Sequence, residues 1–122
     1  MPQEFAGMLR RLRQDRDISQ RELASAAGLH HTYISKLENG QEKPSRRATL
    51  KLAAVLEADA SEFQLAAGHM PVEFVQVLRE NNDLQRLLRL ASEHRLSEGA
   101  YSKLRDILRE EDRVNVPVWL DD

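Results

Sequence analysis

The sequence predicts an all-α protein, in which a five-helix domain is followed by a small helical region. Apolar residues recur at spacings of three and four along most of the 122 residues, which places them on one face of each helix. Ser, Asp or Asn precedes several of these stretches, and these residue types favour helix N-termini. The length suits one small domain with an appendage. These observations together favour two consecutive groups of helices.

The composition narrows the class of protein. The chain has no cysteine, which excludes disulfides and cysteine-based zinc sites. No apolar run could span a bilayer and no signal peptide opens the chain, so we expect a cytoplasmic protein without a membrane partner. The net charge is −2, but residues 1–51 carry ten Lys/Arg and six Asp/Glu, whereas residues 52–122 carry eight and fourteen. A basic front and an acidic rear fit a protein that meets nucleic acid with one end only.

Five helices are predicted in the front part of the chain. Ser19 followed by Glu22 forms a capping-box sequence before the second helix, and Gly28 suits the left-handed residue that ends it. In the fourth helix, Leu50 and Leu56 are expected to face inward. The predicted ranges are 4–16, 20–27, 31–39, the stretch that Ser45 caps up to Leu56, and the stretch from Asp59 to Gly68.

Three further amphipathic helices are predicted after a joint at His69–Pro71. Asn82 with Gln85 is expected to cap the seventh helix, and Ser97 the eighth. About 50 such residues bury little apolar surface alone, so they would be more stable against a second copy or against the first domain. Residues 113–122 alternate valines and are interpreted either as a strand-like tail or as a docking peptide. The main apolar stripes are Leu84, Leu87, Leu88 and Ala91, and Tyr101, Leu104, Ile107 and Leu108.

Residues 19–39 have the pattern of a helix-turn-helix. Tyr33, Ile34 and Leu37 fall at spacings of three and four and are predicted to point inward. The opposite stripe is polar throughout, and each of its residues can form hydrogen bonds. A short helix of this kind suits the major groove of DNA, although an ordinary solvated helix face is the alternative. The stripe consists of His31, Thr32, Ser35, Lys36 and Asn39.

A set of residues also matches a known family in register. They are Gln20, Leu23-Ala24, Gly28, Ile34-Ser35, the run Leu37-Glu38-Asn39-Gly40, Pro44-Ser45, the helix from Leu50 to Leu56, Phe63 and Gly68. Through them residues 4–68 resemble the DNA-binding domain of the Xre family, the lambda-repressor-like or Cro/C1-type helix-turn-helix. The resemblance implies a DNA-binding domain over residues 1–68. Residues 69–122 are then expected to form a helical region for dimerisation or partner binding, with an extended tail.

The resemblance also implies roles for individual residues. Gln20 would bond a phosphate and brace the first residue of the recognition helix, unless it is simply a solvated first-turn residue. His31, Thr32 and Lys36 occupy the main base-reading positions, and Ser35 lies on the same stripe. The following loop and the start of the fourth helix would contact the sugar-phosphate backbone. The residues expected to contact DNA are Gln20, His30, His31, Thr32, Ser35, Lys36, Asn39, Lys43, Arg46 and Arg47.

Three positions are expected to affect the stability of this domain. His30 stands where the family often has Ser or Thr as the helix cap, so the recognition helix is expected to start loosely. Arg13 and Glu38 match an arginine and a glutamate that pair across the core in the family. We therefore interpret them as structural residues rather than base readers.

A sequence-specific transcription regulator is the leading interpretation. We expect a repressor that binds a palindromic operator in double-stranded DNA as a homodimer, because a single helix-turn-helix contacts little DNA. The alternative is a protein-interaction module, such as an antitoxin or adaptor, whose rear region binds a partner protein. Control by a protein partner or a protease is expected, because the rear helices leave little room for a ligand pocket. The chain shows no nucleophile motif, phosphate-binding glycine loop or trusted metal-ligand spacing, so we expect no enzymatic activity, cofactor or metal.

Overall fold

The computed structural model describes residues 2–111 together with Pro117 and Leu120. In this part of the chain the structure contains eight α-helices and no strand, which confirms the predicted all-α class. The helices are α1 (Pro2–Asp15), α2 (Gln20–Ala27), α3 (His31–Glu38), α4 (Arg46–Leu56), α5 (Ala60–Ala66), α6 (Val72–Glu80), α7 (Asn82–Glu93) and α8 (Glu98–Glu111). None of them is both long enough and apolar enough to cross a bilayer.

The chain divides into two compact units, Met1–Gln76 and Val77–Asp122, so α6 contributes to both. The sequence places a boundary earlier, between residues 68 and 69, and the separate roles assigned to the two segments stay predictions. The predicted strand-like or docking tail over residues 113–122 lies outside the described residues, apart from Pro117 and Leu120.

The ends of α2 follow the predicted capping pattern. The Ser19 hydroxyl accepts a hydrogen bond from the Glu22 backbone N–H at 3.0 Å, and the Glu22 carboxylate accepts one from the Ser19 N–H at 3.0 Å. Gly28 ends the helix with a φ of 68°, a left-handed conformation that glycine adopts without a Cβ penalty. Other ends differ slightly from prediction, since α1 and α3 each end one residue earlier, at Asp15 and Glu38.

The core of the first unit draws on all of its first five helices. Phe5 of α1 and Phe63 of α5 meet edge to face, with ring centroids 4.9 Å apart. Twelve buried residues form one cluster, so this unit has a hydrophobic core of its own. They are Phe5, Leu9, Leu23, Ala24, Ala27, Ile34, Leu37, Leu52, Ala53, Leu56, Phe63 and Ala67.

The prediction that Leu50 faces the core is wrong. Its side chain is 43% exposed, whereas the neighbouring Thr49 is fully buried. The inward face of α4 runs through positions 48, 49, 52, 53 and 56, and position 50 lies about 100° away from position 49 around the helix. Thr49 tolerates burial because its hydroxyl donates to the Ser45 carbonyl at 2.8 Å.

The rear helices begin at polar caps. The predicted cap of α7, Asn82, is wrong by one residue, because the Asn81 side chain accepts the hydrogen bond from the Leu84 N–H at 2.9 Å. Gln85 instead donates its side-chain amide to the Leu78 carbonyl. The predicted cap of α8 is confirmed, since the Ser97 hydroxyl accepts from the Ala100 N–H at 3.1 Å.

The apolar stripes of α7 and α8 remain partly in solvent. Neither helix has a fully buried residue. Leu84 and Leu104 are half-buried, while Leu88 is 47% and Ile107 55% exposed. Among the described residues, these side chains therefore leave substantial apolar surface exposed.

The buried carboxylate of Glu38 ties α1 to α3. Arg13 donates to it twice, from Nε to Oε2 at 2.6 Å and from Nη2 to Oε1 at 2.9 Å, which confirms the predicted pair. The hydrogen bonds to Glu38, assisted by its charge, raise the pKa of Arg13 even though burial lowers it. Because the pKa is raised, the stabilisation is fully present at neutral pH and is lost only as the pH rises through the strongly alkaline pKa of Arg13.

Breaking this pair from either side should destabilise the first unit. Arg13→Ala and Glu38→Ala should each lower the free energy of unfolding by about 3–5 kcal/mol, because one buried charge loses its partner. The double variant should lose less than the sum of the two. Denaturant unfolding of the four proteins measures the coupling. Arg16→Ala is the control, since Arg16 pairs with the exposed Glu57 and should cost less than about 1 kcal/mol. Strict additivity of the first two losses would contradict the pairing.

Candidate nucleic-acid interface

The predicted polar stripe of α3 lies at the protein surface. His31, Thr32, Lys36 and Asn39 are exposed, and Ser35 is half-buried. The opposite face carries the buried Ile34 and Leu37. The two faces separate because side chains three and four positions apart share one side of a helix. The arrangement leaves a hydrogen-bonding surface about two helical turns long and free of apolar side chains.

Two further hydrogen bonds hold α3, one from α1 and one from the residue that caps α4. Arg10 of α1 donates to the carbonyl of Glu38 at 2.5 Å. This carbonyl is one of those at the helix C-terminus that have no partner within the helix. The half-buried Tyr33 accepts a hydrogen bond from the Ser45 backbone N–H at 3.2 Å through its hydroxyl oxygen. Because Ser45 is the N-cap of α4, this bond connects the first turn of α3 to the start of α4.

Gln20 lies behind α3, against its last residue. Its side-chain amide donates to Glu38 Oε1 at 3.2 Å, so it shares the carboxylate with Arg13. The resemblance implied that Gln20 braces the first residue of the recognition helix, and the observed bond is to the last one. The phosphate contact of Gln20 stays a prediction.

The start of α3 lacks a side-chain cap. His30 has the extended backbone of an N-cap residue, with φ −82° and ψ 142°, but its side chain makes no capping hydrogen bond. The end of the helix is better closed. Gly40 has a φ of 69°, its N–H donates to the Leu37 carbonyl at 3.2 Å, and the Gln41 N–H donates to the Lys36 carbonyl at 2.9 Å. This is the Schellman arrangement that a left-handed glycine allows.

The three cations expected to contact phosphate, Lys43, Arg46 and Arg47, differ in their surroundings. Lys43 Nζ lies 3.4 Å from the Gly68 carbonyl, and the Arg46 guanidinium donates from Nη1 to the Met70 carbonyl at 2.8 Å. Arg46 Nη1 also lies 3.3 Å from the side-chain oxygen of Gln64. Arg47 is exposed on the first turn of α4. The first N–H groups of that turn have no acceptor within the helix, and they favour an anion.

Sequence reasoning missed the bonds that fix the loop between α3 and α4. The sequence predicts that Tyr33 points inward, but it does not predict the bond to its hydroxyl. It also does not predict the bonds from Arg46 and His69 to backbone carbonyls. The family pattern contains no signal for these contacts, because backbone N–H and carbonyl groups are the same at nearly every residue.

The described residues contain no group of three or more His, Cys, Asp or Glu side chains placed to hold a metal ion. A surface cavity of about 190 Å³ is lined by residues of α1, of α5 and of the turn before α5, among them Met8, Leu12 and Phe63. It is smaller than the usual ligand pocket of roughly 300–1,000 Å³.

Comparison with known proteins identifies the family. A family described as a helix-turn-helix domain matches residues 4–66, about half of the chain. The chain belongs to this helix-turn-helix family. The predicted resemblance to Xre-type regulators of transcription is thereby confirmed, and the match ends just before the joint between α5 and α6.

Three individual proteins are similar to the chain. An uncharacterised HTH-type transcriptional regulator, RghRB of Bacillus subtilis, is 38% identical over 80 residues, which cover 65% of this chain and 57% of that protein. The ImmF control region 10 kDa protein of Bacillus phage phi105 is 26% identical over 62 residues, covering 51% and 69%. The crystal structure of the clp gene regulator ClgR from Corynebacterium glutamicum superposes with a TM-score of 0.50 at 26% identity, covering 78% of this chain and 95% of that one.

A better cap should stabilise α3. His30→Ser should raise the free energy of unfolding by about 1 kcal/mol, because the serine hydroxyl can accept a hydrogen bond from an uncapped N–H group of the first turn. Denaturant unfolding measures the change. The reference is Ser45→Ala, which removes an existing cap bond to Ala48 and should cost a similar amount. No gain from His30→Ser, beside a normal loss from Ser45→Ala, would show that α3 is not limited by its cap.

Proposed function

We propose that the protein is a sequence-specific repressor that acts in the cytoplasm and binds a palindromic operator as a homodimer. In this proposal α3 enters the major groove of double-stranded DNA. The observation that carries it is the continuous polar stripe of α3, in which every residue is exposed except the half-buried Ser35, while Ile34 and Leu37 on the opposite face are buried. A module that binds only proteins has no need for such a stripe.

The bases would be read from the exposed side of α3. Lys36 can donate to O6 and N7 of guanine, and the Thr32 methyl can contact the methyl group of thymine. His31 can donate or accept, so it leaves the contacted base open. Ser35 reaches a base or a phosphate from the same stripe.

The residues around α3 would hold the sugar-phosphate backbone. Lys43 and Arg47 carry positive charge beside the N-terminus of α4, where the helix dipole also favours phosphate. Arg46 keeps further donors besides the Nη1 that it shares with Gln64 and Met70. The remaining proposed contacts are Gln20, His30 and Asn39.

The dimer would form through the second unit. Leu88, Ile107 and Leu108 are each about half exposed, on helices too short to bury their stripes alone. A two-fold axis places the same patch of each chain against its copy, which covers these residues in pairs. It also presents two recognition helices to half-sites roughly 34 Å apart.

A second candidate function rests on the same exposed residues. An apolar patch on the second unit also suits a different protein, and the chain would then be an adaptor or antitoxin with a protein partner. A regulatory partner or protease acting there could also control the repressor. The two hypotheses differ in the oligomeric state that they predict for the isolated chain, which is a dimer only in the first.

Base-reading and phosphate residues should respond differently to substitution. The operator is first selected from a pool of random duplexes by repeated binding. Lys36→Ala should weaken binding to this operator by about 1–3 kcal/mol and relax the preference at one base position. Arg47→Ala should weaken the operator and random duplexes equally and reduce the slope of log K against log salt by about one.

The comparison of these two variants decides the role of Lys36. Equal losses of Lys36→Ala on the operator and on random duplexes would remove it from base reading. A wild-type protein that selects no sequence from the pool would overturn the proposed function. Lys103→Ala, on exposed α8, is the matched control and should change neither measurement.

The full chain should sediment as a dimer of its 14.0 kDa subunit at micromolar concentration. Ile107→Glu and Leu108→Glu should each give a monomer, because a charge cannot be buried unpaired at the two-fold interface. Leu65→Glu is the control, at an equally exposed apolar residue on α5. A monomeric wild type would favour the partner-binding alternative. A monomer produced by Leu65→Glu alone would place the dimer contact in the first unit.

A further inference from the structure

A backbone carbonyl of the candidate phosphate loop, residues 43–46, is held by a histidine from much later in the chain. His69 Nε2 lies 2.8 Å from the carbonyl oxygen of Pro44. A carbonyl only accepts, so Nε2 carries the proton in this bond. The histidine is half-buried in the joint segment, residues 68–70, which connects α5 to α6.

Two cations of the same loop donate to the same joint segment. Lys43 Nζ lies 3.4 Å from the Gly68 carbonyl, and Arg46 Nη1 lies 2.8 Å from the Met70 carbonyl. Gly68 has a φ of 84°, and a Cβ built there would lie 3.2 Å from Lys43 Nζ. The lysine stem therefore packs directly against the glycine. Three bonds thus connect the two segments, and each spans 24 or 25 residues of sequence.

Two buried prolines fix the backbone on either side of these bonds. Pro44 in the loop and Pro71 after the joint segment are both fully buried. Proline restricts φ and has no N–H, so the Pro44 carbonyl is the only backbone hydrogen-bonding group of that residue. The bond from His69 therefore orients the Pro44 carbonyl, beside the bond that the Ser45 N–H donates to the Tyr33 hydroxyl.

We propose that His69 is a positioning residue for DNA binding, which holds the phosphate loop in its binding conformation before DNA arrives. This inference rests on the proposed function. A loop that is already ordered loses less conformational entropy when it binds a phosphate backbone. Without the bond, the loop keeps only its other contacts, among them those of Lys43 and Arg46 to the joint segment, so DNA binding has to order more of it. His69 acts through the loop and touches no base, so its effect is independent of sequence.

Glutamine and asparagine separate the role of this hydrogen bond from that of bulk. Glutamine carries an amide N–H about as far from the backbone as histidine Nε2, whereas asparagine is one methylene shorter. His69→Gln keeps an N–H donor within hydrogen-bonding distance of the Pro44 carbonyl. His69→Asn carries the same amide group, but its N–H lies too far from that carbonyl. His69→Leu removes the donor altogether. His94→Leu is the matched control, because His94 is exposed at the end of α7.

The experiment measures binding of each full-length variant to the selected operator and to a random duplex at several salt concentrations. His69→Leu and His69→Asn should both lose roughly fivefold to tenfold in affinity for either duplex, which corresponds to one net hydrogen bond. The slope of log K against log salt should fall by about one, because a phosphate contact is no longer held in place. His69→Gln and His94→Leu should bind nearly as the wild type does.

A merely structural role predicts another result. The melting temperature would fall, but affinity corrected for the folded fraction and the salt slope would not change, and this outcome overturns the proposal. Equal binding by His69→Gln and His69→Asn also overturns it, even if His69→Leu does not fold. A wild-type chain that fails to bind any duplex refutes the proposed function itself, and the inference with it. A wild-type chain that binds beside an unaffected His69→Asn refutes the inference alone.

Discussion

The position of α3 depends on the carboxylate of Glu38. Glu38 is the last residue of α3, and its carboxylate accepts hydrogen bonds from Arg13 of α1 and Gln20 of α2. Arg10 adds a bond to the carbonyl of the same residue. A buried charge is tolerated only when such donors surround it, so the helix end has one favourable position. With Ile34 and Leu37 in the core, the outward direction of the polar stripe follows from this anchor.

The sequence predicts helix caps and helix faces well. It does not reliably decide which of two neighbouring residues is buried or forms the cap. Ser19 and Glu22 form their reciprocal caps because both partners lie within four residues of sequence. The errors at Leu50 and Asn82 are each a shift of one position. Residue type alone favours Leu50 over Thr49, but burial follows the inward face of α4, which runs through positions 48, 49, 52, 53 and 56. Asn81 and Asn82 are equally good cap residues, so residue type alone does not distinguish them.

The polar stripe of α3 could be predicted from sequence, but the bonds that support the neighbouring loop could not. The stripe is periodic, whereas a bond from His69 to the Pro44 carbonyl joins distant residues and requires no particular residue at the acceptor. Arg46 illustrates the consequence. From sequence it is only a cation at a helix N-terminus, and in the structure its guanidinium also holds the Met70 carbonyl. A residue that would contact phosphate can thus also brace the loop that presents it.

The two units differ in where their stability comes from. The first buries twelve residues in one cluster, whereas α6, α7 and α8 have no buried residue. Ordering these helices costs conformational entropy that so little burial does not offset. Their charges are partly paired within each helix, as between Arg86 and Asp83 or Arg89 and Glu93. Such pairs are exposed and contribute little. In the proposed dimer a second copy would cover the apolar surface of these helices, so folding of the second unit and association are expected to be coupled.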